Sequence, residues 1–179
     1  LGSIGRSFDV VDASGVLHHM ADPLAGWRIL LSLLRPGGLM HLAFYSDAGR
    51  ADVVAAHAFI AERKFGSTPG DIRRCRQELL ATPLASVTRF TDFFTTSECR
   101  DLLFHVHESR VTIPLIKDFI RENGLTFVGF EFDLPLLLRH RAQFAAAGWS
   151  LADLDRWQEV ETKYPDTFSG MYQFWVQKK

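Results

Sequence analysis

The residues suited to acid–base chemistry fall in two clusters. The first is Asp12, Ala13, Ser14, Gly15, Val16, Leu17, His18 and His19, joined further on by Tyr45, Ser46, Asp47 and Arg50. Histidine titrates near neutrality, so His18 and His19 are candidate general bases. The plainer use is that one of them bonds its own loop and the other faces solvent. Tyr45 could line a pocket or simply pack. The second cluster is Arg100, Asp101, His105, His107 and Glu108. On a helix, Asp101, His105 and Glu108 would share one face, a histidine flanked by carboxylates. The same residues also make an ordinary salt-bridged face. His105 and His107 would point apart on a helix, so no metal is expected. Arg73, Arg74 and Arg76 read as a solvated basic face.

The elements that must position the first cluster lie between Phe8 and Tyr45. FDVVD is a short run rich in strand formers, and LMHLAFY is a second run of strand length. Between them Asp22-Pro23 supplies an N-cap and a first helical residue. Leu24, Trp27, Leu30, Leu31 and Leu34 repeat at helical spacing. Pro36-Gly37-Gly38 is the expected stop. Two strands joined by a helix make a parallel crossover, buried on both faces. Both site loops then fall at the carboxyl ends of strands, where open parallel sheets bind ligands.

Further along, Asp47 is a candidate cap for a helix reaching about Phe65. Asp71–Ala81 forms another helix, and Thr95 with Glu98 has capping-box spacing for one that reaches about His107. Thr112 caps a helix with Leu115, Ile116, Phe119 and Ile120 inside, stopped at Asn123-Gly124. Leu125–Phe132 reads as strand, Leu134–Ala147 as helix, and Ser150 with Asp153 opens a helix carrying Leu151, Leu154 and Trp157. Met171–Gln177 alternates as a strand.

FDVVDASGVLHH and LLRPGGLMHLAFYS, in that order and spacing, resemble the fourth strand and fifth strand of class I S-adenosylmethionine (SAM)-dependent methyltransferases. CRDLLFHVHE, ENGLTFVGFEF and FSGMYQFWVQKK are similar to a bacterial subgroup often fused to tetratricopeptide repeats. The resemblance implies an α/β fold: the C-terminal half of a Rossmann-like methyltransferase sheet of about four strands, with the last strand antiparallel between the second and third. A helical insertion at about 66–124 would cover the acceptor side. It implies SAM as cofactor, held along Ala13, Ser14, Gly15 and Val16. His18, His19 and His105 become candidate catalytic residues, and Tyr45, Arg50, Arg100 and Asp101 an acceptor pocket. The acceptor is a small molecule or a protein.

The family's glycine-rich loop has no counterpart, because Gly2 and Gly5 lack a preceding strand and a following helix. The acid expected after the second strand is also absent. The chain opens at Leu1 and enters the pattern halfway, so the upstream half of the same protein is an expected partner. The fragment alone is expected to be inactive. An unpaired, apolar edge on Phe8–Asp12 would invite self-association. Two other readings stay open: a degenerate, non-catalytic domain that binds a protein partner, and a flavodoxin- or Rossmann-like domain for another nucleotide.

Composition sets outer bounds. The 179 residues are 47% hydrophobic and 23% charged, enough for one sizeable core. A net charge of −1 gives no electrostatic case for nucleic acid or an anionic membrane. The apolar runs are too short for a membrane span, and no signal-like start is present. Two cysteines give no disulfide framework, which fits a reducing cytoplasm.

Overall fold

The computed structural model describes residues 4–104, 108–132, 138 and 150–179. Two units are present: Leu1–Gly49 with His107–Lys179, and Arg50–Val106.

The first unit is built on a mixed sheet. Strands β1 (Phe8–Ala13), β2 (Leu34–Ser46), β4 (Leu125–Phe130) and β5 (Tyr172–Lys178) stand in the order β1-β2-β5-β4. β1 and β2 are parallel, Asp12 opposite His41, as the crossover requires. β5 runs antiparallel to both β2 and β4, with Leu42 opposite Phe174 and Phe127 opposite Val176. The fold is therefore the α/β arrangement that the sequence implies. Strand β3 (Arg110–Val111) is an addition: it extends the carboxyl end of β2, Tyr45 facing Arg110. Two residues carry no readable periodicity.

Alternation sorts the strands into two faces. Met40, Leu42, Phe44, Tyr172, Phe174 and Val176 form the core face and are buried. Helices α1 (Pro23–Ser32), α5 (Ile113–Glu122) and α6 (Leu154–Lys163) supply Trp27, Phe119 and Trp157 to the same cluster. Trp27 stacks on Phe119 with ring centroids 3.9 Å apart. Two caps work as their spacing suggests, Asp22 accepting from the Ala25 amide and Thr112 from Leu115, whereas α6 is capped by Asp153, which accepts from Asp155 and Arg156, and not by Ser150. Among described residues β1 pairs only with β2, and Phe8 and Val10 are 39% and 56% exposed.

The second unit carries α2 (Ala51–Arg63), α3 (Pro69–Leu80), 3-10 turns at Pro83–Arg89 and Thr91–Phe94, and α4 (Thr96–Phe104). Its core holds Val53, Ile60, Ile72, Leu79, Phe93 and Leu102. Thr68 caps α3, and Thr95 and Glu98 bond reciprocally at the start of α4. Cys75 and Cys99 are free and buried, and burial pushes the Cys75 thiol up to about 12. No helix among the described residues is long and apolar enough to cross a membrane.

Several expectations are corrected. Helix α1 stops at Ser32, before Pro36-Gly37-Gly38, and the strand already begins at Leu34. Long-range donors take the freed carbonyls: Phe8 N–H donates to Leu33 O, and Lys178 Nζ to Leu31 O and Leu34 O. The Pro-Gly-Gly segment becomes an irregularity in the β1–β2 register, with Phe8 opposite Leu34 and Val10 opposite Leu39. Asp47 caps nothing; it accepts from Arg110 Nε at 3.1 Å. Leu115 and Leu151 are exposed. The helical unit covers Arg50–Val106 rather than about 66–124, because the α5 stripe of Ile113, Ile116, Phe119 and Ile120 belongs to the sheet core. The expected helix over 134–147 lies outside the described residues, apart from Leu138.

Candidate functional site

The candidate site lies at the carboxyl ends of β1 and β2. β1 ends on Ala13, whose methyl is buried, and the chain turns at once. Asp12 Oδ1 accepts from both the amide and the hydroxyl of Ser14, at 2.9 and 2.6 Å. This Asx turn fixes the loop entry. These hydrogen bonds to Ser14 hold the Asp12 carboxyl below its ordinary value, with the nearby His41 ring helping. Gly15 then takes φ +68°, and a Cβ there would meet nothing within 4 Å. The backbone at Gly15 thus faces open space, and Val16 beside it is 56% exposed.

A 3-10 turn, Leu17–His19, follows. It lies close against α1, and Gly26 makes that possible: a Cβ there would meet Met20 Sδ at 2.5 Å and Leu17 Cδ2 at 2.9 Å. The turn is tied from the other side. Ser109 N–H donates to His18 O at 2.8 Å and Ser109 Oγ to Met20 O at 2.9 Å. The His18 ring is buried between Tyr45 and His19, with centroids 4.5 and 4.0 Å away. His19 is exposed. Of the two candidate bases, His19 is therefore the solvent-exposed one, and His18 is packed.

Ser14 does not join this ring cluster through any contact described. Its Oγ lies 2.9 Å from His41 Nδ1. His41 is buried and stacks on Trp175 at 4.8 Å; its Nε2 lies 3.4 Å from Glu131 Oε2. Trp175 Nε1 donates to the same Glu131 oxygen at 3.3 Å. Asp12, Ser14, His41, Trp175 and Glu131 therefore form one line across β1, β2, β5 and the end of β4. The sequence carried a signal for it: His41 is the lone polar residue in LMHLAFY.

A second network was not anticipated either. Ser46 Oγ and Tyr172 OH both donate to Glu161 Oε1, at 2.7 and 2.5 Å, and Gly49 N–H donates to Ser46 Oγ. All three side chains are buried. Burial first, then the Glu161 charge, raises the Tyr172 hydroxyl well above the usual tyrosine range.

Arg50, Arg100 and Asp101 belong to the helical unit. The Arg50 guanidinium is buried over the Phe90 ring at 5.3 Å. Arg100 Nε donates to Ser67 O at 3.2 Å, and Asp101 is exposed on α4. His105 and His107 lie outside the described residues. Glu108 is not helical and precedes β3, so Asp101 and Glu108 do not share a helix face as their spacing suggested.

Comparison with known proteins supplies a fold likeness and short sequence matches. No family model matches the chain. An uncharacterised protein of Synechococcus sp. is 30% identical over 142 residues, 69% of this chain and 32% of that protein. The ubiquinone biosynthesis O-methyltransferase of Parvibaculum lavamentivorans is 41% identical over 59 residues, 33% of this chain and 21% of that enzyme. The chain thus spans about a third or less of the length of these curated relatives. The structure of PKMT2 from Rickettsia typhi matches with a TM-score of 0.67 at 12% identity, covering 97% of this chain and 36% of that one. The same protein in complex with AdoHcy matches at 0.66 and 13%. At such identity the likeness concerns the fold: this chain has a methyltransferase-like α/β fold.

Proposed function

We propose that this chain forms part of a SAM-dependent methyltransferase and supplies one wall of its cofactor site. The observation that carries the reading is the loop after β1, with its open backbone at Gly15 beside the Tyr45–His18–His19 rings. The residues fit the group in part. Ala13, Ser14, Gly15 and Val16 offer exposed backbone and one apolar side chain along a strand end, which suits an amino-acid-like tail and its chain. They offer no carboxylate for ribose hydroxyls. Support also comes from the AdoHcy-bound neighbour and from the match to an O-methyltransferase.

Bound SAM would supply a methyl group on a sulfonium. The work left to the protein is alignment, water exclusion and, for a hydroxyl or ammonium acceptor, removal of one proton. His19 is placed to take that proton, being exposed beside a packed His18. Tyr45 holds the turn by ring contact and borders the acceptor space. The acceptor is a small molecule or a protein, and the free edge of β1 is assigned to pairing with further chain or a second copy.

Calorimetry with SAM tests this. The 179-residue chain should bind more weakly than about micromolar, because fewer contacts oppose an unchanged association entropy. A longer form that adds a glycine-rich half should bind. Micromolar binding by the 179 residues would mean that the site is elsewhere, and a longer form that stays inert would favour a non-catalytic, partner-binding domain.

A further inference from the structure

We infer that His41 is the positioning residue of the Ala13–Val16 loop, acting through the Ser14 hydroxyl and held in place by stacking on Trp175. It rests on the methyltransferase reading only for what the loop holds, not for how the loop is held.

Ser14 has one hydroxyl proton and two polar neighbours. Asp12 Oδ1, at 2.6 Å, is a carboxylate oxygen and accepts. The proton therefore goes to Asp12, and the contact at 2.9 Å must be His41 Nδ1–H donating to Ser14 Oγ. This assigns the tautomer from the network. With its hydroxyl both donating and accepting, and its amide bonded to Asp12, Ser14 is held at three points.

The histidine is itself immobile. It is buried on β2, its ring lies on Trp175 from β5, and Nε2 points at Glu131 beyond the end of β4. Among the described residues Nε2 has no hydrogen-bond partner; bearing no proton in this tautomer, it cannot donate to the Glu131 carboxylate. A buried polar ring in the middle of a strand, with one nitrogen left over, is costly for the fold alone. It is explained if the other nitrogen sets the loop. A leucine of similar volume would fill the space without that cost.

Amide exchange by nuclear magnetic resonance on the 179-residue chain, without ligand, tests the inference. The amides to follow are Ser14, bonded to Asp12, and His19, bonded to Val16 O. In His41→Leu both should exchange about tenfold faster, the loss expected of one hydrogen bond. His41→Asn retains a donor near the Nδ1 position and should restore most of the protection. Ser14→Ala combined with His41→Leu should add little to either change. Unchanged exchange in His41→Leu overturns the inference. So does equal acceleration in Leu and Asn variants that spreads through β1 and β2, which would mark a packing role. In the longer protein, AdoHcy affinity read by calorimetry should fall with the same ordering of variants. If wild-type protein binds no AdoHcy while the exchange pattern holds, His41 still positions the loop and the methyltransferase reading fails instead.

Discussion

At the end of β1, Asp12 gathers the amide and hydroxyl of Ser14 with its own side chain 63% exposed; on the core face, Glu161 gathers the hydroxyls of Ser46 and Tyr172 while only 8% exposed. Each is a carboxylate with two donors. They differ in what would replace a lost donor. Water can reach Asp12, so its bonds set geometry at little cost in stability. Water cannot replace the hydroxyls at Glu161, so those bonds stabilise the fold. Hydrogen bonds alone therefore do not separate a ligand-facing loop from a structural lock. Solvent access does.

The largest effect should come from Glu161→Ala, which strands two buried hydroxyls and removes two charge-assisted bonds, for a loss of about 3 kcal/mol. Tyr172→Phe removes one donor and should lose about 1.5 to 2 kcal/mol. Urea unfolding reads both. A loss below about 0.5 kcal/mol for Tyr172→Phe would show that the inner network is as replaceable as the outer one. Asp12→Asn should change stability by less than about 1 kcal/mol, since solvent screens and replaces its bonds. Its effect belongs in the loop, as faster exchange at the Ser14 amide.

Titration separates the two networks at opposite ends of the pH scale. The Tyr172 hydroxyl is raised in the folded state, so its contribution is intact below the ordinary tyrosine value of about 10 and is lost as pH rises beyond it. The urea midpoint should fall on that alkaline side, and Tyr172→Phe should remove that part of the slope. Asp12 is lowered when folded. Its contribution is present above the ordinary carboxylate value and disappears as pH falls through the depressed one. Because Asp12 is exposed, this acid-side change should be the smaller of the two. Finding it larger would reverse the contrast.

The contrast was only half legible in the sequence. Periodicity gave β1, β2, β4 and β5, since each is a run of strand length with clear turn signals. Local capping gave the starts of α1, α4 and α5, because a cap and its amide lie three residues apart. What failed were features decided by partners far along the chain. Asp47 looked like a cap but is claimed by Arg110. Pro36-Gly37-Gly38 looked like a helix stop, but the carbonyls before it are taken by Phe8 and Lys178. Glu161 in WQEVETK looked like one more acid on a polar helix; only the approach of Ser46 and Tyr172 makes it a buried centre. His41 was visible as a polar break in an apolar strand, yet its neighbours are Ser14, in the loop after β1, and Trp175, on β5. The loop at Ala13–Val16 was legible as a strand end, and what holds it was not.

The position of β5 bears on how the molecule reaches this state. β1, α1 and β2 are contiguous, so their pairing closes only a short loop. β5 must instead find β2 across 140 positions, the spacing of the Gln177–Gly37 bond. Closing such a loop costs about 2 kcal/mol more entropy than closing one of about ten residues. Until that happens the β4–β5 pair is undocked, and Phe174 lacks its Trp27 and Phe44 ring partners. The late arrival of one strand thus makes completion of the sheet a slow, cooperative event, and leaves unpaired aromatic edges able to meet another chain during the wait.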